Sequence, residues 1–127
     1  MARILLVSKV PENFEELAVA LQKRDGIELI RVDSQKEALK KAEEVRLDVV
    51  VADDELADGR GLDLVSGLMQ NYPLINCAMV STLAPDDFHE FTEGLGVFMQ
   101  LPPEPTEKDA VKMLEILDSI DALLKAE

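Results

Sequence analysis

The hydrophobic positions of this chain follow two rhythms that take turns. Short unbroken apolar runs, Ile4 to Val7, Val49 to Ala52, Cys77 to Val80 and Val97 to Met99, read as strands covered on both faces; Ile27 to Val32, partly alternating, reads as a more exposed one. Between the runs, apolar residues recur at helical spacing. They are Phe14, Leu17, Ala18 and Leu21; Ala38, Ala42 and Val45; Leu62, Val65, Leu68 and Met69; Phe88, Phe91 and Leu95; and Met113, Leu114, Leu117, Ile120 and Leu124. The punctuation agrees with that division. Pro11 and Asn13, with Glu16 three residues on, predict the entry of the first helix and Gly26 its end, while Ser34 to Glu37 spells a capping box for the second. Tyr72-Pro73 closes the third, Asp86 and Asp87 suit the start of the fourth, and Thr106 caps the fifth after Leu101-Pro102-Pro103 breaks the last strand.

Five strands alternating strictly with five helices predict an α/β fold, a parallel sheet with helices on both faces. Right-handed crossovers then set the ends of the first and third strands side by side, at the switch point where such sheets bind ligands. The length of 127 residues fits one domain, residues 1–127, with no internal repeat or linker.

Composition narrows the function. No apolar run approaches the roughly 20 residues needed to span a bilayer, and Met1-Ala2-Arg3 leads straight into a strand, so neither a membrane span nor a signal peptide is expected. A single cysteine, Cys77, excludes an internal disulfide and suits a reducing cytoplasm, where the protein is expected to reside. The formal charge of −13 repels phosphate backbones and anionic lipid, so direct nucleic-acid or membrane binding is disfavoured and protein partners are expected.

The candidate chemistry gathers on one stretch, Asp48 to Gly61. Its apolar strand runs into Asp53, Asp54 and Glu55, and the strand ends predicted to converge there bring Ser8, Lys9, Asp53, Ser81, Thr82 and Leu101 to one edge. A carboxylate in such a place can attack a phosphoryl group, forming an aspartyl phosphate. The approach of two anions needs a cation, usually Mg²⁺ held by carboxylate and phosphate oxygens.

These residues resemble the receiver domain of response regulators over essentially the whole chain. Gly61 follows Asp53 at the family's eight-residue interval from its phosphoacceptor; Asp48, Ser81, Phe98 and Pro102 also match, Phe98 at the position of the aromatic switch. The resemblance implies a flavodoxin-like (βα)5 doubly wound fold with five parallel strands in the order 2-1-3-4-5. It implies Asp53 as phosphoacceptor and Ser81 with Thr82 as phosphate contacts. It also implies a signalling module of the two-component or phosphorelay type that is not an enzyme, with a sensor kinase or downstream effector as partner.

Three of the family's chemical positions depart from the pattern, and a loop position departs with them. The family's acidic pair after strand one reads Ser8 and Lys9 here, and its lysine before the proline of strand five reads Leu101; Ala57 also replaces a loop proline. A dication about 5 Å from Lys9 is opposed by roughly 2 kcal/mol at the dielectric of water and roughly 7 at an effective value of 20. Mg²⁺ binding through Asp53, helped by Glu55 or Glu12, is therefore expected to be weak, and no other cofactor is expected. Lys9 is expected either to pair with Asp53 or to point to solvent. The expected function is a divergent, pseudo-receiver-like module acting by protein contact with weak or absent phosphorylation; the rival is a working phosphoacceptor at Asp53 with a rearranged Mg²⁺ site. Ile116, Ile120, Leu123 and Leu124 widen the last helix's apolar stripe beyond what one sheet face requires, which points to a covered surface; the resemblance implies that a homodimer or partner contact lies across helix four, strand five and helix five.

Overall fold

A computed structural model describes residues 2–125 of the chain, with side chains described for residues 2–121. Five strands form a parallel sheet: β1 (Ala2–Val7), β2 (Ile27–Val32), β3 (Val49–Ala52), β6 (Asn76–Val80) and β7 (Val97–Leu101). The order across the sheet is β2-β1-β3-β6-β7, which is 2-1-3-4-5 in the sequence of those five strands. β1 and β3 are buried along most or all of their length because each has a neighbour on both sides and helices on both faces. β2, an edge strand, is only partly buried, as its alternation predicts. A short antiparallel pair, β4 (Glu55–Leu56) and β5 (Gly59–Arg60), follows β3 and was not expected.

The helices are α1 (Glu15–Gln22), α2 (Gln35–Glu44), α3 (Gly61–Asn71), α4 (Pro85–Phe91) and α5 (Glu107–Lys125). Strand alternation sends side chains to two separate cores. Ile4, Leu6, Val49, Val51, Ala78, Val80 and Leu101 pack under α1 and α5. Leu5, Val7, Val50, Ala52, Cys77 and Met79 pack under α2, α3 and α4. The first layer is also clamped at its surface, where both guanidinium nitrogens of Arg24 reach Asp118 at 2.8 and 3.1 Å.

Several local expectations are corrected. Pro11–Phe14 is a 3-10 turn, so α1 starts at Glu15; it ends at Gln22, and Gly26, at φ 85°, instead turns the chain into β2. On α3, Leu64 is fully buried where the pattern omitted it, whereas Met69 is 36% exposed. On α4, Phe88 is buried as expected, but the helix stops at Phe91, leaving Phe91 55% exposed and Leu95 beyond its end. β7 runs through to Leu101 before Pro102 and Pro103 break it. The side chains of Leu123 and Leu124, part of the expected stripe on α5, lie outside those described.

The pairing of β6 with β7 slips between Cys77 and Ala78: Cys77 stands opposite Val97 and Ala78 opposite Met99, leaving Phe98 opposite nothing. Such a bulge re-aims a side chain. Val97 accordingly packs against the core under α2, α3 and α4, while Phe98 and Met99 both meet the core under α1 and α5.

Candidate functional site

Asp53 is the first residue beyond β3, and its N–H still donates to the Val7 carbonyl at 2.9 Å, so the sheet fixes its backbone. Its side chain lies at the sheet's carboxyl edge, only 7% exposed. Three donors meet it there. The Ser8 hydroxyl donates to Oδ2 at 2.7 Å, the Asn13 amide donates to Oδ2 at 3.0 Å, and the Asp54 N–H donates to Oδ1 at 2.8 Å. Ser8 is itself 3% exposed and has the Val10 carbonyl at 2.9 Å, but the carboxylate is the closer acceptor and the charged one.

Each donor is delivered by a local feature of the sequence. Ser8 continues the inward side of β1 past its last apolar residue. Asn13 comes from the 3-10 turn, which Pro11 opens and the Asn13 N–H to Val10 carbonyl bond of 3.0 Å closes. The turn after Asp53 is held by Gly61, whose N–H donates to the Asp54 carbonyl at 3.0 Å. A Cβ on Gly61 would collide with the Asp53 carbonyl oxygen and lie 3.2 Å from its carbon.

Above the carboxylate opens a cavity of about 200 Å³, bordered by Lys9, Asn13, Glu55, Ser81, Thr82 and Pro103 as well as Asp53. Lys9 does not pair with Asp53: its ammonium lies 3.0 Å from Glu55 Oε2, across the cavity mouth, with both side chains about half exposed to solvent. That corrects the expectation that Lys9 pairs with Asp53. The physical reason is competition, since the hydroxyl and amide donors already occupy Asp53 while Glu55 is close by and hydrated.

Ser81 and Thr82 line the cavity as expected, and three hydrogen bonds fix their loop. The Gln100 amide donates to the carbonyls of Ser81 at 3.1 Å and Leu83 at 2.7 Å, and the Ser81 hydroxyl accepts the Leu83 N–H at 3.1 Å. Leu101 does not join the site. It is fully buried in the core under α1 and α5, and Pro103 takes the cavity wall instead. Glu12 does not border the cavity, and Phe98 lines a different groove, between α4, β7 and α5.

The resemblance implies a divalent cation here, and the residues present do not fit one. A hydroxyl and an amide group aim their hydrogens at the carboxylate oxygen that a cation would use, Glu55 is held by Lys9, and among the described residues no three His, Cys, Asp or Glu side chains gather to hold a metal. What the arrangement can do is hold a carboxylate in one place with neutral donors. Its open side offers the Ser81 and Thr82 hydroxyls and the rim ammonium of Lys9 to an incoming oxyanion.

Sequence reasoning missed Asn13 and Gln100. Asn13 carried a signal, an amide on the loop beside the switch point, which its reading as a helix entry absorbed. Gln100 carried none, because an isolated polar residue within a strand does not disclose which loop it reaches.

No family model matches the sequence, and no curated protein matches it significantly. Solved structures do match its fold. A receiver domain protein of Methanospirillum hungatei is 20% identical, with 100% of this chain and 99% of that one covered at a TM-score of 0.80. A chemotaxis response regulator of Vibrio cholerae is 22% identical, with 91% and 97% covered at 0.77. The RcsB response regulator of Salmonella typhimurium is 10% identical, with 94% of this chain and 62% of that one covered at 0.81. The chain thus has the flavodoxin-like fold of receiver domains, as expected.

Proposed function

We propose that this chain is a receiver-like signalling module that works by protein–protein contact, with phosphorylation of Asp53 weak or absent. The observation that carries the reading is the donor set on Asp53: Ser8 and Asn13 hold the carboxylate with hydroxyl and amide hydrogens where phosphoryl transfer needs a cation. Leu101, in the place of the family's lysine, removes a second positive group from the phosphoryl site. Partners are a sensor kinase or a downstream effector, in the cytoplasm; the net charge of −13 and the lack, among the described residues, of any helix long and apolar enough to cross a membrane are consistent with this. The module carries out no catalysis of its own.

The test is incubation with acetyl phosphate and Mg²⁺, read by intact mass, with Asp53→Asn as control. No phosphoryl adduct is expected on either protein. An acid-stable, base-labile adduct on the wild type alone overturns the reading and establishes the working phosphoacceptor in its place.

The face formed by α4, β7 and α5 is the proposed site of a homodimer or partner contact. A groove of about 510 Å³ runs between these elements, with Leu83, Val97, Phe98 and Ile116 among its lining and Leu83 41% exposed.

A further inference from the structure

We propose that a notch between α3 and α4, adjoining the Asp53 cavity, docks a segment of a partner protein that presents one apolar side chain beside a basic one. Phe91 is the starting point. It is one of only four phenylalanines in the chain and is 55% exposed, although Phe88, one turn earlier on α4, is 5% exposed. Leaving so large a ring half in water forfeits hydrophobic burial that a covering group recovers.

The ring forms one wall of a cavity of about 160 Å³, whose apolar lining is completed by Leu62, Met79, Val80 and Phe88 and whose remaining lining is polar. A cavity of about 150 Å³ lined by apolar side chains takes a benzene ring, so this one has room for a single leucine-sized or aromatic side chain.

The rim selects the neighbour of that side chain. Among the described residues Arg60 is the one basic residue lining the notch, and its guanidinium lies 2.8 Å from Asp54, so the two charges offset each other. Asp63 also borders the notch, and Asp87 lies one turn before Phe91 on the exposed surface of α4. The rim is therefore negative, on a protein whose net charge is −13. A basic group is attracted, whereas a nucleic acid, an acidic segment or a second copy of this chain is repelled. Asp54 and Ser81 border both this notch and the Asp53 cavity, so an occupant sits against residues next to the acceptor position. The inference rests on the proposal that the chain acts by protein contact, and not on the phosphorylation state of Asp53.

The test uses the full chain, labelled with ¹⁵N, titrated with N-acetyl-leucyl-argininamide and separately with N-acetyl-leucyl-glutamamide. Saturating shifts are expected at the amides of Leu62, Asp63 and Phe91 with the arginine probe. Binding of the glutamate probe is expected to be about three- to fivefold weaker, the difference one exposed ion pair makes, and the preference is expected to fade in high salt. Phe91→Ala, which truncates an exposed side chain, is expected to keep the rest of the spectrum and lose the shifts; Asp87→Lys is expected to reverse the preference between the probes. Asp53→Asn is expected to bind as the wild type does, which separates failure here from failure of the functional reading. Equal binding of the two probes, shifts outside the notch, no shifts at all, or self-association abolished by Phe91→Ala overturns the proposal.

Discussion

At the scale of single residues, Ser8 and Asn13 decide what Asp53 can be. Ser8→Ala leaves a nearly buried carboxylate short of its closest donor, and a hydrogen bond to a charged group in such a place is worth about 1.5–3 kcal/mol. Urea unfolding is expected to show a loss of that size, whereas a change below about 0.5 kcal/mol shows that the bond is not formed in solution. Cys77 supplies a second expectation. Burial pushes its thiol up to about 12, so at pH 8 it stays protonated and unreactive. Iodoacetamide is expected to label it only after denaturant is added, and fast labelling of the folded chain contradicts this environment. Asp53 itself was legible in the sequence because an apolar run ending in an acid is a local pattern. The role of Asn13 was not, because it depends on a 3-10 turn that folds back toward a strand forty positions away.

At the scale of elements, the loop after β3 is more structured than its sequence suggests. Two-residue strands are too short to show a period, so β4 and β5 left no hydrophobic signal. The hairpin reaches α2. The Asp58 carboxylate accepts the N–H groups of Gln35 at 2.7 Å and Lys36 at 3.0 Å, while the Ala57 N–H donates to the Asp33 carbonyl at 2.9 Å. Ser34 caps the same helix as its sequence predicts, accepting the Glu37 N–H at 3.1 Å. The two backbone donors hold the Asp58 carboxyl below its ordinary value of 3.8. A depressed carboxyl contributes stability that is present above the unfolded value and lost as pH falls through the folded one. Asp58→Ala is therefore expected to lower the melting temperature at pH 7, with the gap to wild type closing below about pH 3.8; a gap that persists in acid shows that charge is not its source. α4 teaches a related lesson. The spacing of Phe88, Phe91 and Leu95 is helical, yet the helix ends at Phe91 and rotates that ring outward, since periodicity says nothing of where a short helix stops.

At the scale of the whole molecule, topology was the most legible property. Runs of four or more apolar residues force central strands, helical spacing between them forces crossovers, and right-handedness leaves few orders open. The order β2-β1-β3-β6-β7 is the one expected. What covers the outer faces was less legible, because an exposed apolar side chain obeys no internal period. The proposed contact across α4, β7 and α5 has to overcome repulsion between two chains of charge −13, so it is expected to strengthen with salt. Light scattering is expected to give a mass above that of the monomer at high protein concentration in 0.5 M NaCl. A monomeric mass under every condition, with no partner found for that face, removes the idea.

Gly61 bears on how such chains are told apart. Its Cα lies against the Asp53 carbonyl and 3.4 Å separates a Cβ built there from Ala52 Cβ, so any side chain would lever the first turn of α3 off the sheet. Only glycine satisfies the backbone here, whether or not Asp53 ever receives a phosphoryl group. The interval from acid to glycine is thus a signature of architecture rather than of reactivity. A chain can shed its chemistry and go on displaying it, and screens that rely on this spacing will recruit inert modules alongside reactive ones.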